Sequence, residues 1–222
     1  RSSFDNDVRY IRSGLLTGVF HPDWIDFELA GRKYRFDLDR LPVYSNDCTS
    51  GKGQCTPQAR TFCKACISYV DPIAWDQSRQ RLFFGIAVDS SKNKPWILAA
   101  YDFKANQVTR FGEFYGGGAG LPAFYPSGRF LAMESVAVCG YCCSSSGVMV
   151  ADLFEHRIGA PVANGRPPGA TLSGPTSITS IRWTGQEEVV YEATTQTEVD
   201  CRSSSPAKKI TGSFKLSDLE VH

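Results

Sequence analysis

The chain has 222 residues, 42% of them hydrophobic and 21% charged, and 24 Lys and Arg against 23 Asp and Glu leave a formal charge of +1. This composition excludes a disordered chain, a fibre and a coiled coil, and the near-neutral charge excludes a general nucleic-acid binder, which needs a basic stripe to displace counterions. No apolar run approaches the roughly 18 to 20 residues of a membrane-spanning helix, and the length suffices for one substantial core, so residues 1–222 are expected to form a single domain.

In chain order, the clearest signals are strands. Val19-Phe20, a His-Pro-Asp turn and Trp24–Leu29 make the first pair, and Ala74-Trp75, a polar turn and Arg81–Ile86 make the second. Phe124-Tyr125, Pro-Ser-Gly and Arg129–Glu134 follow, then Arg182-Trp183, Thr-Gly-Gln-Glu and Glu188–Glu192. Each pair continues into a third strand ending in a short charged turn, at residues 34–38, 97–103, 148–153 and 211–216. Aromatic and β-branched residues fill these runs and Gly, Pro, Asn, Asp and Ser punctuate them. No stretch of helical length carries a 3.6-residue apolar period; Asp152–His156 comes nearest and is too short. The anchors Phe20, Trp75, Tyr125 and Trp183 recur roughly 50 to 58 residues apart, near the spacing of blade repeats.

Four antiparallel units of this kind, with the turns "FYPSGRFLAM" and "AWDQSRQRLFF", resemble the blades of TolB-type and WD40-like β-propellers. The resemblance is architectural and spans roughly residues 14 to 222. It implies an all-β, antiparallel fold of about four blade-like repeats, a small or incompletely closed propeller in which residues 8 to 14 would complete the last blade. A two-sheet β-sandwich is the alternative fold.

Eight cysteines stand at Cys48, Cys55, Cys63, Cys66, Cys139, Cys142, Cys143 and Cys201. An even set in a modest chain reads as a disulfide framework and hence an oxidising compartment, although spacing leaves the pairing open. The competing reading joins Cys63-Lys-Ala-Cys66 and Cys139-Gly-Tyr-Cys142 in a four-thiolate zinc site. The gap between those pairs far exceeds the roughly 15 to 20 residues of a zinc ribbon. A thioredoxin-like redox motif lacks its strand-then-helix context. The start at Arg1 rather than Met fits a mature chain that has lost a signal peptide or lipoprotein leader, with a lipid anchor upstream in the latter case. An extracytoplasmic location, periplasmic or secreted, is therefore expected.

If the units are blades, the turns between first and second strands lie at one end. The long segments 41–70, 89–95, 112–122, 139–147, 160–178 and 198–208 lie at the other, and all the cysteines fall on them. Loops held on a rigid scaffold are where binding concentrates. On this face Phe114, Tyr115 and Tyr141 are expected as exposed aromatic anchors for a protein partner. Lys92, Lys94 and Arg202 contribute a mildly basic character that would steer an acidic partner.

Catalytic patterns are sparse. The histidines His21, His156 and His222 lie on separate turns or the terminus, and GxSxG, HExxH and EF-hand loops are missing from the sequence. The strings Ser91–Lys94 and Ser205–Lys208 lack the helix and partner motifs of penicillin-binding-type catalysis. Gly116–Gly120 is followed by Pro122 where a phosphate-binding helix would start, and reads as a flexible loop. The acidic pairs Asp23/Asp26 and Asp37/Asp39 read as solvated faces. The expected function is that of a non-catalytic protein-binding module without cofactor or bound metal. Within that class an inhibitor or immunity-type protein for a secreted enzyme or toxin fits best. A carboxylate-dependent hydrolase or lyase and a structural subunit of a cell-envelope assembly are the alternatives.

Overall fold

The computed structural model describes residues 9–13, 16–20, 24–29, 32–37, 67–88, 95–115, 118–138, 144–161, 176–185, 187–195, 198–199, 202–203 and 207–221. Every regular element among them is a strand except one 3-10 turn at Leu216–Asp218. Among the described residues two sheets are four strands wide, a third joins eight strands through a single parallel bridge, and a two-stranded ribbon makes a fourth; all the other pairings described are antiparallel. No helix among the described residues is long and apolar enough to cross a membrane. The chain forms two compact units, one of Arg1–Asp89 with Ala99–Thr109 and one of Ser90–Leu98 with Arg110–His222.

In the first unit β1 (Arg9–Ser13), β2 (Leu16–Phe20), β3 (Trp24–Leu29) and β4 (Arg32–Asp37) pair in chain order. Residues 9–13 of the segment expected to close the last repeat thus pair with β2. Along β4 the period of two is plain: Lys33, Arg35 and Asp37 are exposed, Tyr34 is half-buried and Phe36 is buried. The second sheet is β5 (Ile67–Asp76), β6 (Arg81–Val88), β7 (Pro95–Asp102) and β8 (Gln107–Tyr115), again in chain order. Its Ala99–Asp102 and Gln107–Thr109 portions belong to this unit. Leu82 to Ala87 on β6 are buried at every position, as expected of a strand covered on both faces. Phe36 meets Tyr101 at 4.9 Å and Phe84 at 5.9 Å between ring centroids, while Tyr34, Tyr101 and Trp75 surround Phe103 at 4.5, 4.6 and 5.5 Å. This aromatic seam holds the two sheets together.

In the second unit β9 (Gly118–Phe124), β10 (Phe130–Val138), β11 (Ser144–Asp152) and β12 (Arg157–Pro161) form one antiparallel group. β13 (Thr176–Thr184) and β14 (Glu188–Thr195) form another. After the short ribbon β15 (Glu198–Val199) and β16 (Arg202–Ser203), β17 (Lys208–Lys215) adds to β14. The bridge Ser145–Thr176 links the groups, and the last strand, β18 (Leu219–Val221), pairs with β12. Ala132, Val148 and Val150 on one face of β10 and β11 pack on Ile178, Val189, Ala193 and Phe214. The Trp183 indole N–H donates to the Ala123 carbonyl at 2.8 Å, which pins β13 to β9. Leu131, Met133 and Met149, on the opposite face, are buried as well.

The predicted four-unit pattern appears as the hairpins β2/β3, β5/β6, β9/β10 and β13/β14, each followed by a third antiparallel strand. One expectation is corrected: segment 112–122, read as a loop with a flexible glycine run, supplies the end of β8 and the start of β9. Two of its described glycines, Gly112 and Gly120, sit in close contact with neighbouring side chains. A Cβ at Gly112 would stand 3.3 Å from the Ile158 side chain, and one at Gly120 would stand 3.2 Å from Glu134 Oε2.

Candidate functional site

Three hairpins share one device. Asp76, Asp102 and Asp152 end β5, β7 and β11, and a four-residue turn follows each. The Oδ1 of each accepts the backbone N–H groups two and three residues on. These are Ser78 and Arg79 at 3.0 and 3.1 Å, Lys104 and Ala105 at 2.9 and 2.9 Å, and Phe154 and Glu155 at 3.0 and 3.2 Å. This is the bonding of a helix N-cap applied to a single turn, and it satisfies donors that would otherwise be left over. The last turn residue is left-handed in every case: Gln80 at φ 54°, Asn106 at 54° and His156 at 52°.

The second carboxylate oxygen draws in an arginine. Asp76 takes Arg79 Nη1 at 3.1 Å from its own turn, and Asp102 takes Arg81 Nε at 2.9 Å from the neighbouring β6. Asp152 takes Arg129 from the end of the β9–β10 hairpin, with Nη2 at 2.8 Å and Nε at 3.2 Å from each oxygen. Burial pushes the Asp152 carboxyl up. The hydrogen bonds from Arg129 and from the N–H groups of Glu155 and Phe154, with the Arg129 charge, pull it further down, so it stays below the usual carboxylate range. Asp76 and Asp102 are depressed by the same opposition of burial and donors. Held below the usual range, these carboxylates are ionised acceptors at neutral pH.

Around Asp152 the strand ends of the second unit enclose a cavity of about 360 Å³. Phe130, Val150, Leu216 and Leu219 supply its apolar lining. Its polar lining comes from Arg129 before β10, Arg157 on β12, Glu187 in the β13–β14 turn and Ser217 in the 3-10 turn. Arg157 Nη2 lies 4.0 Å from Asp152 Oδ2, outside hydrogen-bonding distance, so two guanidiniums share one buried carboxylate and only Arg129 is bonded to it. Beside them Phe154 is 61% exposed, and the Arg129 guanidinium stands 5.0 Å from the Phe130 ring and 5.9 Å from the Phe154 ring.

The chain matches no protein-family model and no curated protein at a significant level. Site assignment therefore rests on its own geometry.

That geometry differs from the predicted site. Phe114 is corrected: it is 1% exposed and packs 6.1 Å from the Trp96 ring, because it lies within β8 rather than on a loop and its apolar ring is buried with that of Trp96, so it is a core residue and not an exposed anchor. Tyr115 ends β8 and Arg202 begins β16. Tyr141, Lys92, Lys94 and all eight cysteines lie outside the described residues. Asp26, from one of the acidic pairs, is occupied by the Trp24 indole at 2.9 Å and by Arg35 at 2.8 and 3.2 Å. Sequence reasoning missed the Asp152 cleft. Its one local signal was an aspartate five residues before an arginine, present at Asp76/Arg81 and Asp152/Arg157 and changed to glutamine at Asp102/Gln107.

The cleft lies at the Phe130/Asp152 end of β10 and β11. β10 and β11 pair from Phe130↔Asp152 to Val138↔Ser144, roughly 26 Å at about 3.3 Å per residue.

Proposed function

We propose that this chain is a non-catalytic, extracytoplasmic protein-binding module built of blade-like repeats, acting as an inhibitor or immunity-type partner of a secreted enzyme or toxin. The observation that carries the reading is the use of its carboxylates. Asp76, Asp102 and Asp152 each close a turn and clamp an arginine, which spends them on rigidity rather than on proton transfer. Rigid hairpins of this kind suit the display of side chains and loops to a partner at low entropic cost. The even set of eight cysteines supports an oxidising compartment, and the four three-stranded units support the blade-like arrangement.

Two measurements test it. Intact mass under denaturing, non-reducing conditions, with zinc quantification, should show the loss of eight hydrogens and no metal; free thiols with bound zinc would overturn the compartment. A pull-down of secreted proteins should be weakened by Tyr115→Ala and Tyr141→Ala, and undiminished capture would remove the cysteine-bearing face as the working surface.

One residue favours the second reading, a carboxylate-dependent hydrolase or lyase. Asp71 on β5 is half-buried and burial raises its carboxyl above the usual range, the condition of a general acid. Turnover of any ester, glycoside or peptide substrate that Asp71→Asn abolishes would replace the binding-module reading.

A further inference from the structure

We infer that the cleft beside Asp152 is a second docking site, one that takes a partner segment in which an acidic and a basic residue flank an apolar side chain. The inference rests on the binding-module reading and adds to it a surface at the Phe130/Asp152 end of β10 and β11.

Complementarity argues for that occupant. Asp152 is already saturated by Arg129 and two backbone N–H groups, so it offers nothing to a ligand. Arg157 is 47% exposed, lines the cavity and makes no hydrogen bond among the described residues. Its guanidinium is the group that a carboxylate entering from outside would find. Glu187, exposed and in the same lining, acts by its charge on Arg129 and adds a carboxylate to which an entering cation could bind. The lining shared with these charged groups includes the apolar Phe130, Val150, Leu216 and Leu219. A volume of about 360 Å³ sits at the small end of ligand pockets, the scale of a side chain or two rather than a nucleotide. An occupant with two acids would meet Glu187 and one with two bases would meet Arg157, so the cleft selects a segment carrying one of each.

The turn beside the cleft supports this independently. The turn of residues 103–106 has the same aspartate cap and the same left-handed last residue, yet it carries Lys104, Ala105 and Asn106 where the other carries Phe154, Glu155 and His156. Its fold therefore does not require an exposed phenyl ring. Phe154, 61% exposed with the Arg129 guanidinium 5.9 Å from its ring, combines residue types enriched at interface hot spots.

The test uses the full, isotope-labelled chain and the capped peptide Ac-Asp-Phe-Lys-NH2, with Ac-Asn-Phe-Gln-NH2 as the uncharged control. Titration should shift resonances of Phe154, Arg157, Glu187 and Leu216 to Leu219, with the control at least about fivefold weaker. Arg157→Glu and Glu187→Arg should each lower the response about fivefold, and the double reversal should restore it; both positions are exposed, and an unchanged spectrum elsewhere reports an intact fold. Absence of shifts at the cleft, or equal shifts with the control peptide, overturns the inference. A pull-down lost on Tyr115→Ala and Tyr141→Ala but unaffected by Arg157→Glu, together with a silent cleft, leaves the binding-module reading standing without this site. Cleft shifts from a small carboxylate such as benzoate that equal those from the peptide would overturn the peptide occupant.

Discussion

In the first unit Asp102 closes residues 103–106 and receives Arg81 from β6; in the second, Asp152 closes residues 153–156 and receives Arg129 from the start of β10. The backbones follow one plan and the side chains do not. In the first turn Phe103 enters the aromatic seam and the Tyr101 hydroxyl donates to Asn106 Oδ1 at 2.6 Å, so the turn is tied to its own strand. In the second the position two before the aspartate's successor is Ala151, which has no such donor, and His156 instead meets the Phe111 ring edge-on at 5.3 Å. Phe154 is left in solvent. The first turn spends its side chains on holding itself, and the second holds itself through Asp152 and presents the rest.

The largest effect separating them is expected at the aspartates. Asp152→Ala removes two backbone caps and strands Arg129 over a side chain only 8% exposed, which should cost about 2 to 3 kcal/mol, most of it from capping because Arg129 is itself 40% exposed and screened. Asp102→Ala, at a site 20% exposed, should cost about 1 to 2 kcal/mol. Urea unfolding of the two variants measures the difference, and a larger loss at Asp102 would break the comparison.

A turn exchange sharpens it further. The pair Lys104→Phe and Asn106→His discards the Tyr101 bond and should destabilise by about 1 kcal/mol. The reciprocal pair, Phe154→Lys and His156→Asn, should change stability by less than about 0.5 kcal/mol, since Asn tolerates the left-handed position well and Phe154 is exposed. That second variant should also lose the peptide response at the cleft. Equal thermal shifts for the two exchanges would show that both turns are structural alone.

The asymmetry was invisible from the chain because it depends on which residues three separate hairpins bring together. Strand period and turn residues sufficed for the sheets: Tyr34 and Phe36 alternate with Lys33 and Arg35, Trp75 and Trp183 stand next to last in the first strands of their hairpins, and Tyr125 directly follows its own. They failed where local composition contradicts tertiary pairing. Glycines at 112 and 116–118 suggested a loop, yet Gly118 to Gly120 pair with Val136 to Glu134, and Phe114 on the preceding strand is buried. Arg129, Asp152 and Glu187 are far apart in sequence, and nothing in the spacing announces that β12, the β13–β14 turn and the C-terminal 3-10 turn share one cavity.

The smallest predicted effects set two carboxylates of one strand against each other. Asp76 is held below the usual range, so its contribution is present above the unfolded value near 3.8 and is lost as pH falls through its lower folded value. Asp71, five positions earlier on β5, is held above that range by burial. Its contribution runs the other way: it is present below the unfolded value and lost as pH rises through the higher folded value. At neutral pH Asp76→Asn should therefore destabilise the chain. Asp71→Asn should stabilise it by less than about 1 kcal/mol, because the group is only part-buried and water screens its charge. Both differences should shrink when unfolding is followed from pH 7 to pH 3. A destabilising Asp71→Asn at neutral pH would mean that the Asp71 carboxylate has a stabilising partner in the folded chain, and the balance within β5 would have to be redrawn.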